Sequence, residues 1–488
     1  MDFMDIYHIY NIITLWVIGA LLHGYIAIYN LWYHPLFEFP GPEIASFSMF
    51  WWAYAKISGR YPWIIEDAIK EYGSVVRITP DNLIFSSPQA VKDISLFEPV
   101  DGNHPRETSN EKDATKTEKP ITASNTRLSG IQETIVAKVI ENFVAAVDLL
   151  ETDVEDIELR QWLRYFASNL SSATTPPQDP RFPPIIPTNL ILLGSSRGWN
   201  LSFTIHHIAE TLGMAGLMDF ALPFKLLGFS CAKPVQMDVK PVATDDTLHE
   251  ERKNTEDTEH AEHTEPTPNM AKQAQVISDN RQPLINRIYA LIVFFLNEPK
   301  VLEEVAMEIR MWWDPWDYRS DEITIRSTSA LSYLQACIQE SFRMQPDTIE
   351  SEVRVSPGAV VDGTYIPEGG LCRVSYFSIA RNPRFFHAPL EFHPERWLSR
   401  DDPRYDPRFK DDDLEASKLF IPDESVVSDI LRLFFAKLLL EYDLEEGGGQ
   451  KKMAFDRNFR FMTFWEMSKF YMWLAPVKGL RRVPKPSK

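Results

Sequence analysis

The segment from Ile6 to Tyr33 contains no Asp, Glu, Lys or Arg, and this apolar character limits what the N-terminus can fold into. A helix of this length, rising 1.5 Å per residue, is long enough to cross a hydrocarbon layer of about 30 Å. Tyr and Trp stand near both ends of the segment, where aromatic side chains sit at membrane interfaces. A helix buried in a protein core is the alternative, and a cleaved signal is disfavoured because Asp2 and Asp5 precede the segment. We therefore predict a membrane anchor over residues 1–34.

The residues after this segment indicate its orientation. Lys56 and Arg60 are the first basic side chains that follow it, and positive charge favours the cytosolic side of a membrane. The stretch 35–45 is rich in proline and reads as a linker, because each proline restricts its own backbone and that of the preceding residue. We expect a single-pass protein whose cytosolic domain spans residues 46–488.

The overall charge and the cysteine content exclude several classes of protein. A formal net charge of -19 would repel nucleic acid, so a nucleic-acid partner is not expected. The three cysteines, Cys231, Cys337 and Cys372, are too few and too scattered for a disulfide framework or a paired-cysteine metal site. No set of residues in the sequence identifies a metal site.

Local patterns predict several elements in the first third of the domain. The sequence YPWIIEDAIKEYG predicts a helix that ends at Gly73, and SVVRITPDNLIFSSP predicts a β-hairpin around a Pro-Asp-Asn turn. Residues 131–151 have helical periodicity. This spacing places Ile131, Ile135, Val139 and Phe143 on one face of that helix.

Three stretches carry no interpretable pattern. Residues 99–130 are polar and are expected to form a long loop, and residues 173–200 cannot be assigned to any element. Residues 243–282 include a low-complexity polar run. His260 and His263 lie three apart within that run, but a metal site needs further ligands that are held rigidly. A solvated spacer is the preferred interpretation of this run.

The clearest chemical pattern lies in the last third of the chain. The sequence ALSYLQACIQESFRMQP predicts a helix that places Glu340 and Arg343 three residues apart on one face, where they can form an ion pair. About fifty residues later FHPERWL supplies Arg396, which could join the same carboxylate. A short β region with Pro-Gly turns lies between them. Such a pair alone is common on helices, but this order and spacing is a strong signal.

These motifs resemble those of the haem-thiolate monooxygenases, the cytochrome P-450 family, and in particular its membrane-anchored fungal members. The resemblance covers the N-terminal segment, the hairpin and nearly everything from about residue 284 onwards. It implies a mainly α fold with small β-sheets, an α+β class, behind one transmembrane helix and incomplete at the haem-ligand loop. It assigns Glu340, Arg343 and Arg396 to the ion-paired core beside the haem, and Arg354 to a haem propionate.

The resemblance also implies a function and its partners. The expected cofactor is haem b, and the expected electron donor is an NADPH-dependent reductase. The expected substrate is a lipophilic small molecule, oxidised in fungal secondary metabolism. The expected location is the endoplasmic reticulum membrane, with the body of the protein in the cytosol.

Three pieces that the family's chemistry requires are missing from the sequence. The axial cysteine should lie in a Gly-rich loop before the helix LRLFFAKLLLEYDLE, but FIPDESVVSDI at residues 420–430 has neither Cys nor Gly. Gln282 and Pro283 stand where the family has an acid and an alcohol that relay protons. The family also has an aromatic or His residue followed four positions later by Arg, which forms a second contact with a haem propionate. No such pair is found in the polar stretch before residue 131.

No other cysteine is a convincing replacement for the axial ligand. Cys337 falls inside the helix with Glu340, and Cys372 falls in a stretch that reads as a strand, so both are expected to be buried and structural. Cys231 lies in a region without a recognisable counterpart in the family. No catalytic residue can therefore be identified from the sequence.

Two hypotheses of different classes remain open at this stage. The chain is either a monooxygenase by lineage, or a catalytically inactive, membrane-tethered protein with the family's scaffold. A gene model with wrongly drawn exon boundaries, or a decayed gene, would give a sequence with the same missing pieces as an inactive protein. Because the axial cysteine is not found, the sequence leaves open whether the chain is an enzyme.

Overall fold

The computed structural model of the chain describes most of its first hundred residues and most of the chain after residue 281. The described residues are 24–100, 130–148, 157–174, 281–313, 323–417, 426–447, 453–462 and 464–477, together with the helical positions 14, 17, 18, 21 and 22. The predicted loop 99–130 falls almost wholly outside them, as do the unassigned stretch 173–200 and the low-complexity stretch 243–282.

Helices make up most of the described residues, and the strands among them are short. The helices are α1 (Glu43–Phe47), α2 (Phe50–Ile57), α3 (Tyr61–Tyr72), α4 (Pro88–Ser95), α5 (Gly130–Asp148), α6 (Leu159–Thr174), α7 (Arg281–Asn297), α8 (Pro299–Trp312), α9 (Ile325–Thr328), α10 (Ser332–Met344), α11 (Tyr376–Ala380), α12 (Leu414–Ser417), α13 (Val426–Glu441) and α14 (Phe455–Asn458). The strands are β1 (Val75–Thr79), β2 (Asn82–Phe85), β3 (Glu98–Pro99), β4 (Ile157–Glu158), β5 (Arg354–Val355), β6 (Ala359–Val361), β7 (Thr364–Ile366), β8 (Leu371–Val374), β9 (Tyr442–Glu446), β10 (Phe459–Phe461), β11 (Trp465–Met467) and β12 (Tyr471–Pro476). This content agrees with the predicted mainly α fold with small sheets.

Four long helices, α5, α6, α7 and α13, form the apolar core of the described residues. Residues 284–295 of α7 and 426–440 of α13 are all buried, as is usual for a helix that is surrounded by other elements. Phe434 of α13 lies at the centre, with its ring centroid 5.6 Å from that of Phe143 in α5 and 5.1 Å from that of Phe166 in α6. These edge and tilted ring contacts hold three of the helices together.

Pro299 marks the break between α7 and α8. Pro299 is the first residue of α8, where its missing N–H costs no hydrogen bond, and Glu298 occupies the cap position before it. The apolar helical pattern before Pro299 and the amphipathic pattern after it therefore form two separate helices, α7 and α8.

The helix that the sequence predicts here is α5, and its apolar face is only partly the buried one. Ile135 and Val139 are half-buried, whereas Val136 and Ile140 are wholly buried beside Phe143. Both faces show apolar residues at helical spacing, and the side that packs on α6 and α13 is the one that becomes buried.

A five-stranded sheet in the order β1-β2-β8-β5-β3 joins the early part of the chain to the region after α10. Its first two strands form the predicted hairpin, with Val75 opposite Phe85, and β2 then pairs in parallel with β8. The helix before it, α3, ends as predicted at Gly73, whose φ of 107° is one that only glycine adopts without strain.

The predicted linker 35–45 is partly structured. Its last residues lie in α1, and the carbonyl of Pro40 accepts a hydrogen bond of 2.8 Å from the N–H of Arg77 in β1. A Cβ atom added to Gly41 would lie 2.3 Å from the carbonyl oxygen of Arg77, so glycine is required for this approach. Pro40 and Gly41 therefore allow this segment to pack directly against strand β1.

The N-terminal segment is only partly among the described residues. Residues 24–32 are helical, and the carbonyl of Asn30 accepts a hydrogen bond of 3.1 Å from the guanidinium of Arg77. Among the residues that the structure describes, no helix has both the length and the apolar character needed to cross a membrane.

The PERW sequence forms a 3-10 helix, Pro394–Trp397. One prediction about local structure needs correction. The helix predicted over LRLFFAKLLLEYDLE ends at Glu441, and the following residues form strand β9 because they pair with β12, Leu444 opposite Leu474.

Substitution of Phe434 by alanine should destabilise the fold strongly, because Phe434 is 1% exposed and packs against aromatic rings on three helices. We expect a loss of about 3–5 kcal/mol in the free energy of unfolding. Urea unfolding followed by circular dichroism measures it. Phe464→Ala, at a side chain that is 47% exposed, is the matched control and should change stability little. Equal losses in the two variants would contradict the assignment of Phe434 to the core.

Candidate functional site

The structure brings Glu340 and Arg343 together inside the protein. Both lie on α10, three residues apart, so their side chains share one face of the helix, and both are 0% exposed. The Nε and Nη2 atoms of Arg343 donate to the two carboxylate oxygens of Glu340 at 2.9 and 2.8 Å. This two-point pairing fixes the relative orientation of both side chains.

Arg396 reaches the same carboxylate from the 3-10 helix Pro394–Trp397. Its Nε donates to Glu340 at 3.2 Å, and the indole N–H of the neighbouring Trp397 donates to the second oxygen at 2.9 Å. The backbone N–H of His393 adds a hydrogen bond of 3.0 Å. The remaining nitrogens of Arg396 donate to the carboxylate of Asp412 and to the carbonyl of His387.

The charge balance of this cluster favours the ionised form of Glu340. Burial alone would raise the pKa of Glu340, but the guanidiniums of Arg343 and Arg396 outweigh it and lower the pKa to about 2. Arg343 also donates from Nη1 to the carbonyls of Ala380 and Pro389, both at 2.7 Å. The cluster therefore joins α10, the end of α11 and the chain before the 3-10 helix at one buried point.

Arg354, the residue that the family resemblance assigns to a haem propionate, lies in β5 at the sheet. It is half-buried, and its Nη1 donates to the backbone carbonyls of Ser95 and Phe97 at 3.2 and 2.7 Å. In the described structure these contacts tie β5 to the chain that leads into β3. The role of Arg354 in cofactor binding stays a prediction.

A second charge cluster, partly buried and not predicted from the sequence, surrounds Glu350. Its carboxylate lies 2.8 Å from Nζ of Lys56 and 3.0 Å from Nη1 of Arg373, and it accepts a hydrogen bond of 2.5 Å from the hydroxyl of Tyr61. Burial alone would raise the pKa of Glu350, but Arg373 and Lys56 lower it to about 2. One feature of the sequence points to this cluster: Lys56 is the sole charged residue of the apolar helix α2. A lone charge on such a helix indicates a carboxylate partner elsewhere in the fold.

A third buried charge, Arg287, lies on α7 one turn beyond Pro283. Gln282 and Pro283 occupy the start of α7, and Gln282 hydrogen-bonds Asn286 at 2.9 Å. Arg287 is 0% exposed and donates to the carbonyl of Ser341 at 2.5 Å and to Asp347 at 2.7 Å. The two positions that the resemblance assigns to a proton relay are therefore occupied by an amide side chain and a proline. The Arg287–Asp347 ion pair joins α7 to the chain just after α10.

The cysteines provide a direct test of whether the described residues suit a thiolate-bound haem. Cys337 in α10 and Cys372 in β8 are both 0% exposed. Burial raises the pKa of Cys372 to about 12, and burial together with the nearby carboxylates of Glu395 and Glu308 raises the pKa of Cys337 well above its usual value. Both remain neutral thiols in the core, whereas an iron ligand must be a thiolate.

The other candidate positions do not supply the ligand among the described residues. Residues 420–425 of the expected ligand loop lie outside them, residues 426–430 form the first part of α13, and the whole stretch 420–430 contains no cysteine. Cys231 also lies outside them. In the part of the chain that the structure describes, no group of three or more His, Cys, Asp and Glu side chains is arranged to hold a metal ion. The described residues therefore do not supply the haem-thiolate centre that the resemblance implies.

Replacement of Glu340 by glutamine should destabilise the fold, because it leaves two buried guanidiniums without their carboxylate. We expect a loss of about 3–5 kcal/mol in the free energy of unfolding, measured by urea titration. Glu352→Gln changes an exposed carboxylate nearby and should have little effect. Arg343→Ala should match Glu340→Gln, and a variant as stable as the control would contradict the structural role of the cluster.

The low pKa values of Glu340 and Glu350 also predict how stability depends on pH. A carboxyl whose folded pKa is lowered stabilises the fold fully above its unfolded pKa, near 4.5, and loses this contribution as the pH falls towards 2. Thermal unfolding measured between pH 6 and pH 2, roughly the range over which carboxyls titrate, should show a steep fall in melting temperature below about pH 4.5. Glu350→Gln should flatten part of this dependence, and an unchanged slope would contradict the ion pairs around Glu350.

Comparison with known proteins agrees with the order and spacing of these motifs. The cytochrome P-450 family model matches residues 286–411, which contain α10, Arg354 and the 3-10 helix. The chain is 27% identical over 461 residues to the cytochrome P450 monooxygenase TwmD of Talaromyces wortmannii, covering 87% of this chain and 88% of the relative. It is 28% identical over 485 residues to the cytochrome P450 monooxygenase BOA3 of Botryotinia fuckeliana, covering 91% and 92%. The chain is therefore similar to the fungal monooxygenases of the cytochrome P-450 family over most of its length, and the family model matches part of its second half.

Proposed function

We propose that this chain has the scaffold of a haem-dependent monooxygenase of lipophilic small molecules, and that in the encoded form it lacks the thiolate chemistry of that enzyme. The observation that carries the proposal is the state of its cysteines. Both described thiols are buried, which raises their pKa, and the expected ligand loop at 420–430 contains no cysteine. Oxygen activation in this family depends on electron donation from a thiolate.

The first part of the proposal, descent from a haem-dependent monooxygenase, is supported by the relatives. The similar fungal proteins are named monooxygenases, and the similarity extends over most of each chain. On this basis the ancestral enzyme bound haem b and received electrons from an NADPH-dependent reductase. It acted on a lipophilic small molecule in fungal secondary metabolism.

Membrane attachment is also part of the proposal. The apolar segment at residues 1–34 would anchor the chain in the endoplasmic reticulum membrane, with residues 46–488 in the cytosol. Apolar substrates concentrate in the bilayer, so an anchored oxidase would be close to both substrate and reductase.

Two charge clusters of the described core are balanced within the chain. Glu340 is paired with Arg343 and Arg396, Glu350 with Lys56 and Arg373, all within the chain. A buried charge is costly unless it is paired, and here the partners are protein side chains. The scaffold can therefore persist after the ligand loop has been lost, which supports a folded but catalytically silent product.

A carbon monoxide difference spectrum of the reduced, full-length chain, expressed with a haem precursor, tests the proposal. We expect no thiolate-type Soret band from protein that circular dichroism shows to be folded. Such a band would show that one of the three cysteines ligates iron, and would overturn the proposed loss of chemistry.

A loop replacement provides the matched positive control. In this variant residues 418–425 are exchanged for the Gly-rich, cysteine-containing loop of a fungal relative, while the rest of the chain stays unchanged. Because the scaffold on both sides of the loop is retained, we expect the variant to acquire the thiolate-type band. A cysteine-to-serine change within the grafted loop should remove it again. A folded graft without the band would contradict the monooxygenase lineage of the haem-side scaffold.

A further inference from the structure

His393 connects the surface of the protein with the buried Glu340 cluster. It occupies the cap position before the 3-10 helix Pro394–Trp397, and its backbone N–H donates to a carboxylate oxygen of Glu340 at 3.0 Å. Its side chain is 25% exposed, so the imidazole can exchange protons with solvent. One residue therefore carries both a titratable ring open to solvent and a hydrogen bond to the carboxylate at the centre of the cluster.

Two carboxylates face the two ring nitrogens of His393. Its Nε2 lies 2.9 Å from Oε2 of Glu391, and its Nδ1 lies 3.7 Å from Oε2 of Glu395. A neutral imidazole has one N–H, so it can donate at only one of its nitrogens, whereas the protonated ring donates at both. Both contacts are therefore attractive at the same time only when the ring carries its positive charge.

Glu395 extends this arrangement to α10. Its side chain is 23% exposed, and its Oε1 accepts a hydrogen bond of 2.7 Å from the hydroxyl of Tyr333, which is buried. The thiol of Cys337, one turn further along α10, is close enough to Glu395 for their charges to interact, but burial raises its pKa and keeps it protonated. A continuous polar chain therefore runs from the imidazole through Glu395 to a buried hydroxyl of α10.

The arginines near the imidazole are paired with other carboxylates. Arg396 binds Glu340 at 3.2 Å and also contacts Asp412. Arg408, in the chain that follows, binds Asp406 at 2.7 Å. The carboxylate of Asp406 is itself close enough to the imidazole for their charges to attract. The two arginines therefore offset little of the negative charge that faces the ring.

The balance of these charges favours the protonated ring. The carboxylates of Glu395 and Glu391 raise the pKa of His393 above its usual value of 6.5, although burial and the guanidinium of Arg396 oppose the shift. A group whose folded pKa is raised stabilises the fold fully below its unfolded pKa and loses this contribution as the pH rises through its folded pKa. The contacts of the ring are therefore strongest in weakly acidic solution and weaken above about pH 6.5.

We propose that His393 is a pH-sensitive contact that holds the 3-10 helix Pro394–Trp397 against α10. The protonated imidazole links Glu391 to Glu395, and Glu395 is bound to α10. When the ring loses its proton, one of the two links is lost, and the segment that donates to Glu340 is held less firmly. The contact is formed by the chain's own side chains and does not depend on whether the chain binds haem.

Hydrogen exchange of the purified full-length chain, followed by mass spectrometry, tests this contact. The peptide that covers residues 389–399 is compared at about pH 6 and about pH 8, on either side of the usual histidine pKa, after correction for the intrinsic pH dependence of exchange. His393→Gln removes the titratable ring and keeps a polar side chain. His387→Gln is the matched control, because His387 lies in the same segment and its ring, like that of His393, packs on Phe409.

We expect the protection of this peptide in the wild-type chain to fall roughly threefold between the lower and the higher pH, as the loss of one partly exposed ion pair predicts. His393→Gln should show the lower protection at both pH values. Glu391→Gln, at a side chain that is 71% exposed and so unimportant for folding, should reduce the dependence on pH. His387→Gln should behave as the wild type.

Equal protection of the wild-type peptide at the two pH values would overturn the proposal. A wild-type pH dependence that persists in folded His393→Gln, or in Glu391→Gln, would also overturn it, because another group would then be titrating. The same holds if His387→Gln abolishes the dependence, since the response would then belong to His387.

Discussion

The carboxylate of Glu340 is the interaction on which the second half of the fold depends. It is fully buried, and it receives donors from Arg343 on its own helix, from Arg396 and Trp397 on a separate 3-10 helix, and from the backbone of His393. An isolated carboxylate at this depth would be far too costly to bury. The chain between residues 340 and 397 is consequently held in the one arrangement that supplies these donors.

The other ion pairs of the described core are likewise formed within the chain. Glu350 pairs with Lys56 and Arg373, and Arg287 pairs with Asp347. Arg77 differs from them, because it is 1% exposed and donates to the backbone carbonyls of Pro80 and Asn30. Under the proposed function, a change in the ligand loop would remove the iron ligand and leave the ion pairs of Glu340, Glu350 and Arg287 intact.

Local sequence patterns were sufficient for elements whose signals lie within a few residues. The helix ending at Gly73, the hairpin around Pro80 and Asp81, and the separation of α7 from α8 at Pro299 follow from backbone constraints of glycine and proline. The buried face of α5 did not follow, because two apolar faces were available and only contact with α6 and α13 selects one. The partners of Glu350 could not be predicted either, since Lys56 lies 294 residues away in sequence.

The amino-acid sequence by itself determined the family motifs, the charge balance and the absence of a cysteine from residues 418–425, because these are properties of the covalent chain. Only the tertiary structure decided that the thiols of Cys337 and Cys372 are buried. Whether Cys337 and Cys372 are reactive depends on burial by residues distant in sequence, and burial disfavours their charged form. Tyr333 likewise meets Glu395 only because α10 packs against the 3-10 helix Pro394–Trp397. Depth from solvent and the meeting of separate elements arise from long-range packing, which no local pattern in the sequence encodes.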